Sequence, residues 1–180
     1  MSQSSKLSRR VSAVIVALSV AAAISSAPAH AQQATGGGMQ DQMAKPMMGM
    51  GRGPVNTDVS GMALKGYDAV SYHMGSSPVV GSEAFVATHE GATYRFASAE
   101  NRDRFMADPA RYVPAYGGYC AMGVAGNRKF DVDPMAFTIV EGRLYLNKDM
   151  GTRRSWMRDI NGNNTKADAN WPNVMRSAGF

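Results

Sequence analysis

The sequence predicts an α+β domain, a small antiparallel sheet with peripheral helices, preceded by a signal peptide and a disordered Met/Gly-rich arm. Three observations predict it. Short runs mixing aromatic and β-branched residues come in pairs, one pair around Gly91 and one around Glu141-Gly142. Polar residues suited to helix caps follow those runs. The residues before Val55 have the composition of neither.

The first element is residues 1–31, a signal peptide. Lys6, Arg9 and Arg10 supply a positive start, and Val11 to Ser26 is uncharged and rich in Ala, Val, Ile and Leu. That run is too short and too Ala-rich to span a membrane, which takes ~20 strongly apolar residues. Ala29-His30-Ala31 gives the small-x-small step that precedes cleavage. The expectation is a periplasmic or secreted protein with no membrane span after cleavage. Cleavage removes three of the 19 basic residues and no acidic one, which leaves 16 basic against 14 acidic. So small an excess, without a basic run interleaved with aromatics, sets nucleic-acid binding aside.

Residues 32–54 form the arm. Met39, Met43, Met47, Met48 and Met50 stand among glycines, with no aromatic residue. Such a segment buries too little surface to offset its chain entropy, so it is expected to be disordered.

Residues 55–176 form the folded domain. Gly66 to Tyr72 reads as a turn and then an extended segment. Ala84–Ala87 and Thr93–Phe96 read as strands about Gly91. Ser98 is placed to cap a helix that Phe105 and Met106 face inward and that Asp108-Pro109 ends. Tyr112 to Tyr119 is aromatic and Gly-containing, more loop than element. Phe137–Val140 and Arg143–Leu146 form the clearest hairpin. Thr152–Ile160 and Lys166–Met175 read as helices joined by a polar loop, Asn161–Asn164, and Pro172 kinks the second or starts a new turn. No internal repeat is visible in this stretch.

Three groups could carry chemistry. Thioether sulfur is a soft ligand that prefers Cu(I). It has no proton to lose and forms no disulfide, which suits an oxidising compartment. The five arm methionines could wrap three sulfurs around one ion, or the arm could be a solvated linker. His73 and His89 are either metal ligands or ordinary structural histidines; no spacing of a closed zinc site is present. Cys120 is the single cysteine and can make no internal disulfide. It is a buried thiol, a soft metal ligand with His89, or a nucleophile needing His73 or His89 as base. Asp131 and Asp133 flank Val132 and suit a solvated turn better than a cation site.

The run Gly66-Tyr67-Asp68-Ala69-Val70-Ser71-Tyr72 is followed by Pro78-Val79-Val80-Gly81, and then by His89-Glu90-Gly91-Ala92-Thr93-Tyr94-Arg95-Phe96-Ala97-Ser98. After it come Asp108-Pro109-Ala110-Arg111-Tyr112 and Tyr116-Gly117-Gly118-Tyr119-Cys120-Ala121. In this order the motifs resemble the YHS domain family, and more narrowly its exported, single-domain bacterial members. Gly142 to Asn147 and Ala167 to Pro172 fit that group too. The resemblance implies a small α+β unit of a kind often attached to heavy-metal pumps and suspected of binding metal. The short, metal-associated form carries thiols where this chain has Ser60, Ala97 and Asn101, so that metal site does not carry over. His89 and Cys120 match the exported group, where their role is unassigned.

Together these readings predict an exported metal-handling module, with copper the favoured ion and Met39, Met43, Met47, Met48, Met50, His73, His89 and Cys120 as ligands. A metal transporter or another exported protein is the expected partner. Two alternatives stand beside it. One is a protein-interaction module using Tyr112, Tyr116 and Tyr119. The other is a small thiol-dependent redox enzyme using Cys120 and His89.

Overall fold

The computed structural model describes residues 53–75 and 77–178, so the expected signal peptide and all of the expected arm but Gly53 and Pro54 lie outside the described residues. The α+β class holds. The expected single sheet is two separate two-stranded hairpins. Strand β1 (Ser82–His89) pairs antiparallel with β2 (Ala92–Phe96), and β3 (Asp133–Val140) with β4 (Arg143–Asn147). Both turns are Glu-Gly with positive φ at each residue, 48° and 76° in Glu90-Gly91 and 50° and 76° in Glu141-Gly142. That two-residue geometry matches the twist of a hairpin, and glycine adopts it without steric cost.

Each hairpin feeds a helix. Ser98 caps α1 (Ala99–Ala107) by accepting from the N–H of Asn101, as its position in the sequence predicts. Asp108 ends α1 and caps a short α2 (Pro109–Tyr112), whose first residue is a proline that needs no donor. After a brief α3 (Ala121–Ala125), Asp149 caps α4 (Met150–Met157) and Asp159 caps α5 (Ile160–Arg176). Two expectations fail here. Ser71–Met74 is a 3₁₀ turn, not an extended segment, because the Asp68 carboxylate and main-chain carbonyl gather the N–H groups of Val70 and Ser71. Asn161–Asn164 is no loop but the opening of α5, since Asp159 accepts from Gly162 and Asn163 donates to the Trp156 carbonyl. Pro172 lies inside that helix.

The chain is an internal repeat, contrary to the sequence reading. Adding 51 to every pairing of the first hairpin reproduces the second, including the irregularity that separates Ser82↔Phe96 from Val86↔Arg95 and Asp133↔Asn147 from Phe137↔Leu146. The correspondence continues into the helices. Ser98 and Asp149 are equivalent caps, Phe105 and Trp156 equivalent buried rings. Asp108 and Asp159 share φ and ψ, −150° and 76° against −149° and 74°. Upstream the offset is 52. Leu64-Lys65-Gly66 has φ of 53°, 52° and 81°, and Tyr116-Gly117-Gly118 has 54°, 59° and 82°. Tyr67 then matches Tyr119, and Asp68 matches Cys120. The main chain agrees, since Asp68 donates its N–H to Val79 and Cys120 donates its own to Phe130.

Two buried clusters fill the domain, and the one around the first repeat also takes in Cys120, Val132, Leu144 and Leu146 of the second. In the first, Phe105 sits 4.8 Å from the Tyr94 ring and 5.0 Å from Phe96. In the second, Trp156 lies 5.2 Å from Tyr145, with Tyr116, Tyr119, Ala167 and Val174 buried around it. Lys129 clamps the ends of the domain. Its buried ammonium donates to the carbonyls of Gly53 (3.0 Å), Met175 (3.1 Å) and Ser177 (2.7 Å).

Candidate functional site

The structure sets the predicted ligands on different partners. His73 packs edge-on against Tyr112, and burial, then the Arg111 charge, hold its imidazole below the usual range. His89 is partly exposed beside Glu90 and packs edge-on against Phe105. Cys120 lies against Asn147. Among the described residues no three His, Cys, Asp or Glu side chains gather as a metal site. Met39, Met43, Met47, Met48 and Met50 lie outside the described residues. Asp131 is an ion-pair partner: burial pushes its carboxyl up, but Lys65, the Val132 N–H and Asn56 together bring it below the ordinary value. Asp133 binds the N–H of Met135.

The aromatic contact surface is also corrected. Tyr116 and Tyr119 are 2% and 0% exposed, because they fill the second core, and their hydroxyls donate to Asp168 and to the Gly53 carbonyl.

The best-built chemistry is at Cys120, which is 1% exposed. The main-chain N–H groups of Met122, Gly123 and Lys148 lie near enough to its sulfur to favour the anion, and that of Met122 donates to Asn147 Oδ1 at 3.3 Å. The first two come from the opening turn of α3, the third from the residue after β4. The sequence folds this way because Gly117-Gly118 permits left-handed backbone just before Tyr119. Gly123 is required as well: a Cβ there would come within 2.7 Å of the Phe130 ring. Burial pushes the Cys120 thiol up, and the three amides pull against it without reversing the shift. The Asp149 carboxylate adds to the upward push. At neutral pH the group is therefore a protonated thiol, and its S–H points to Asn147 Oδ1 at 3.7 Å.

A cavity of about 110 Å³ opens on this sulfur, lined by Cys120, Met122, Gly123, Phe130, Lys148 and Thr152. Asn147 backs it. This side chain is 0% exposed, its Oδ1 accepts from the Met122 N–H, and its Nδ2 has no partner. An unpaired buried amide costs about 1–3 kcal/mol, so its place beside the thiol calls for a reason beyond stability. No histidine lines the cavity or acts on the thiol, so the expected Cys120–His89 pair is absent from this site. Sequence reasoning found Cys120 but not Asn147 or the amides. Main-chain donors leave no residue signature, and Asn147 reads as the end of a strand.

No helix among the described residues is long and apolar enough to cross a membrane. Comparison of the chain with protein-family models, with curated proteins and with solved structures finds no match.

Proposed function

We propose that this chain is an exported single-thiol module whose working group is Cys120. The carrying observation is the sulfur itself, which faces a cavity whose lining residues Met122, Gly123 and Lys148 have main-chain N–H groups that favour its anion. Any reaction that leaves negative charge on the sulfur finds donors already in place, at no cost of rearrangement. The thiol is protonated and covered at rest, so it reacts slowly and without a histidine base. With one cysteine in the chain, a mixed disulfide formed here is resolved by a thiol from outside. Export rests on the pattern of residues 1–31, and kinship with YHS proteins rests on the order of motifs from Gly66 to Pro172. Alkylation of the native protein by iodoacetamide tests the reading. A single adduct at Cys120, forming faster as pH rises, supports it. A native protein that stays unlabelled even in alkali, while the unfolded chain labels at once, overturns it.

A second reading keeps copper, and a specific observation favours it: five thioethers fall between Met39 and Met50 in a segment with no core to fill. In that reading the arm takes up Cu(I), the domain is the scaffold, and a metal transporter or another exported protein is the partner. Replacing the five methionines with leucine in the whole mature chain then removes Cu(I) uptake in an anaerobic chelator competition. Unchanged uptake removes the arm from consideration.

A further inference from the structure

The repeat places a carboxylate where the thiol stands. In the first repeat Asp68 is fully buried and every donor around it is used. Its Oδ1 accepts from the N–H groups of Val70 (2.8 Å) and Ser71 (3.3 Å), its Oδ2 from Ala97 N–H (2.9 Å) and Asn101 Nδ2 (2.6 Å). The equivalents in the second repeat are Met122, Gly123, Lys148 and Thr152. All four line the cavity at Cys120, and the N–H groups of the first three favour its anion. The nest is thus built to the pattern of a two-oxygen anion and holds one sulfur, and the cavity lies where the remaining atom belongs.

An independent feature points the same way. Where the first repeat has Phe96, apolar and 0% exposed, the second has Asn147, equally buried, with its amide against the sulfur and Nδ2 unpaired. A polar group in a phenylalanine's place, with a donor left over, is a provision for an acceptor that the thiol alone does not supply.

We propose that Cys120 is a reversibly oxidised thiol, reacting with a hydroperoxide to form a sulfenate whose oxygen takes the place of the second Asp68 oxygen. This rests on the reading of Cys120 as the working group and names its co-reactant. The ionised sulfur attacks the outer peroxide oxygen, an S–O bond forms, and the O–O bond breaks. Sulfur loses two electrons and the peroxide gains them. The alkoxide or hydroxide that leaves takes up the proton the thiol gave away, departing as alcohol or water, and the sulfenic acid gives its own proton to solvent as the sulfenate and regains it when a thiol attacks. An external thiol then attacks the sulfenic sulfur, releasing water and leaving a mixed disulfide, and a second thiol restores Cys120 as the pair departs joined by a disulfide.

The test uses the whole mature protein and hydrogen peroxide. Methionine sulfoxide adds the same mass, so the readout is a sulfenic-acid-selective trap at the Cys120 peptide, with recovery of the free thiol by dithiothreitol. The expected result is a trap adduct at Cys120 that dithiothreitol added before the trap abolishes, with the trappable species decaying roughly tenfold more slowly in the folded than in the urea-unfolded chain. Irreversible loss of the thiol, or no adduct in a protein that iodoacetamide does label, overturns the sulfenate and leaves the thiol reading standing. A protein that neither reagent modifies overturns both. Cys120→Asp and Cys120→Asn test the nest without peroxide. A site built for an oxyanion makes Cys120→Asp the more stable of the two at neutral pH, by about tenfold in the unfolding constant. The reverse order overturns the proposal.

Discussion

The two repeats share a backbone and differ in what it encloses. Around Asp68 every donor is met, and the carboxylate ties the 3₁₀ turn at Ser71 to the start of α1. Around Cys120 the same frame is left incomplete, with a cavity at the sulfur and an unpaired amide behind it. One copy spends its hydrogen bonds on holding its parts together. The other leaves a cavity and the unpaired Asn147 amide beside a reactive atom. A main-chain nest is thus not a function in itself; the side chain placed in it decides between structure and chemistry.

The largest effects test whether the repeats are equal as cores. Phe105→Ala and Trp156→Ala each remove a wholly buried ring, and each is expected to cost about 3–5 kcal/mol in urea unfolding. Loss confined to one of them would break the equivalence. Next comes the nest. Asp68→Ala strands three donors in the interior, those of Val70, Ala97 and Asn101, and costs about 3 kcal/mol, while Cys120→Ala costs about 1 kcal/mol, the scale of one buried methyl-sized group. Equal costs would mean that Cys120 is as structural as Asp68.

Smaller effects sharpen the comparison through pH. Ser98→Ala loses a neutral cap worth about 1 kcal/mol, and that loss is the same in acid and at neutrality. Asp149 differs, because the Thr152 N–H and hydroxyl hold its carboxyl below the ordinary value. Its contribution is present above the ordinary carboxylate pKa and is lost as pH falls through the lowered one, so Asp149→Ala is visible in denaturation at neutral pH and vanishes in acid. The smallest effect is alkaline. Cys120 has its pKa raised on folding, so the native state keeps a proton that the unfolded state gives up. Stability from this group is complete below the ordinary thiol value and falls as pH rises through it. Lys148 lines the cavity at this thiol, and the Asp149 charge acts on it. Lys148 sits over the Phe130 ring and 3.9 Å from Asp149, whose carboxylate opposes ionisation of the thiol. The decline should be absent from Cys120→Ser.

The hairpins and the Ser98 cap were legible because their signals are local: Glu-Gly between alternating strands, and a hydroxyl three residues before the amide it caps. The start of α5 was not, since Asn161–Asn164 resembles a linker until Trp156 and Asp159 supply its partners. The repeat escaped notice because its identities are few, such as Tyr67 with Tyr119 and Tyr94 with Tyr145. A one-residue change of offset before the hairpins also breaks any simple alignment. At the site, the sequence singled out Cys120 as its lone thiol and paired it with histidines by chemistry alone. The groups that surround it are main-chain amides, which every residue but proline carries.

The Lys129 clamp has a consequence for chain topology. One ammonium gathers the carbonyls of Gly53 and Ser177, so the two ends of the domain lie within a few ångströms of each other. A short glycine link could close them into a ring. Such a ring, reopened at Val113-Pro114 between the repeats, would carry the thiol half first and the carboxylate half second while keeping the pairings within each half.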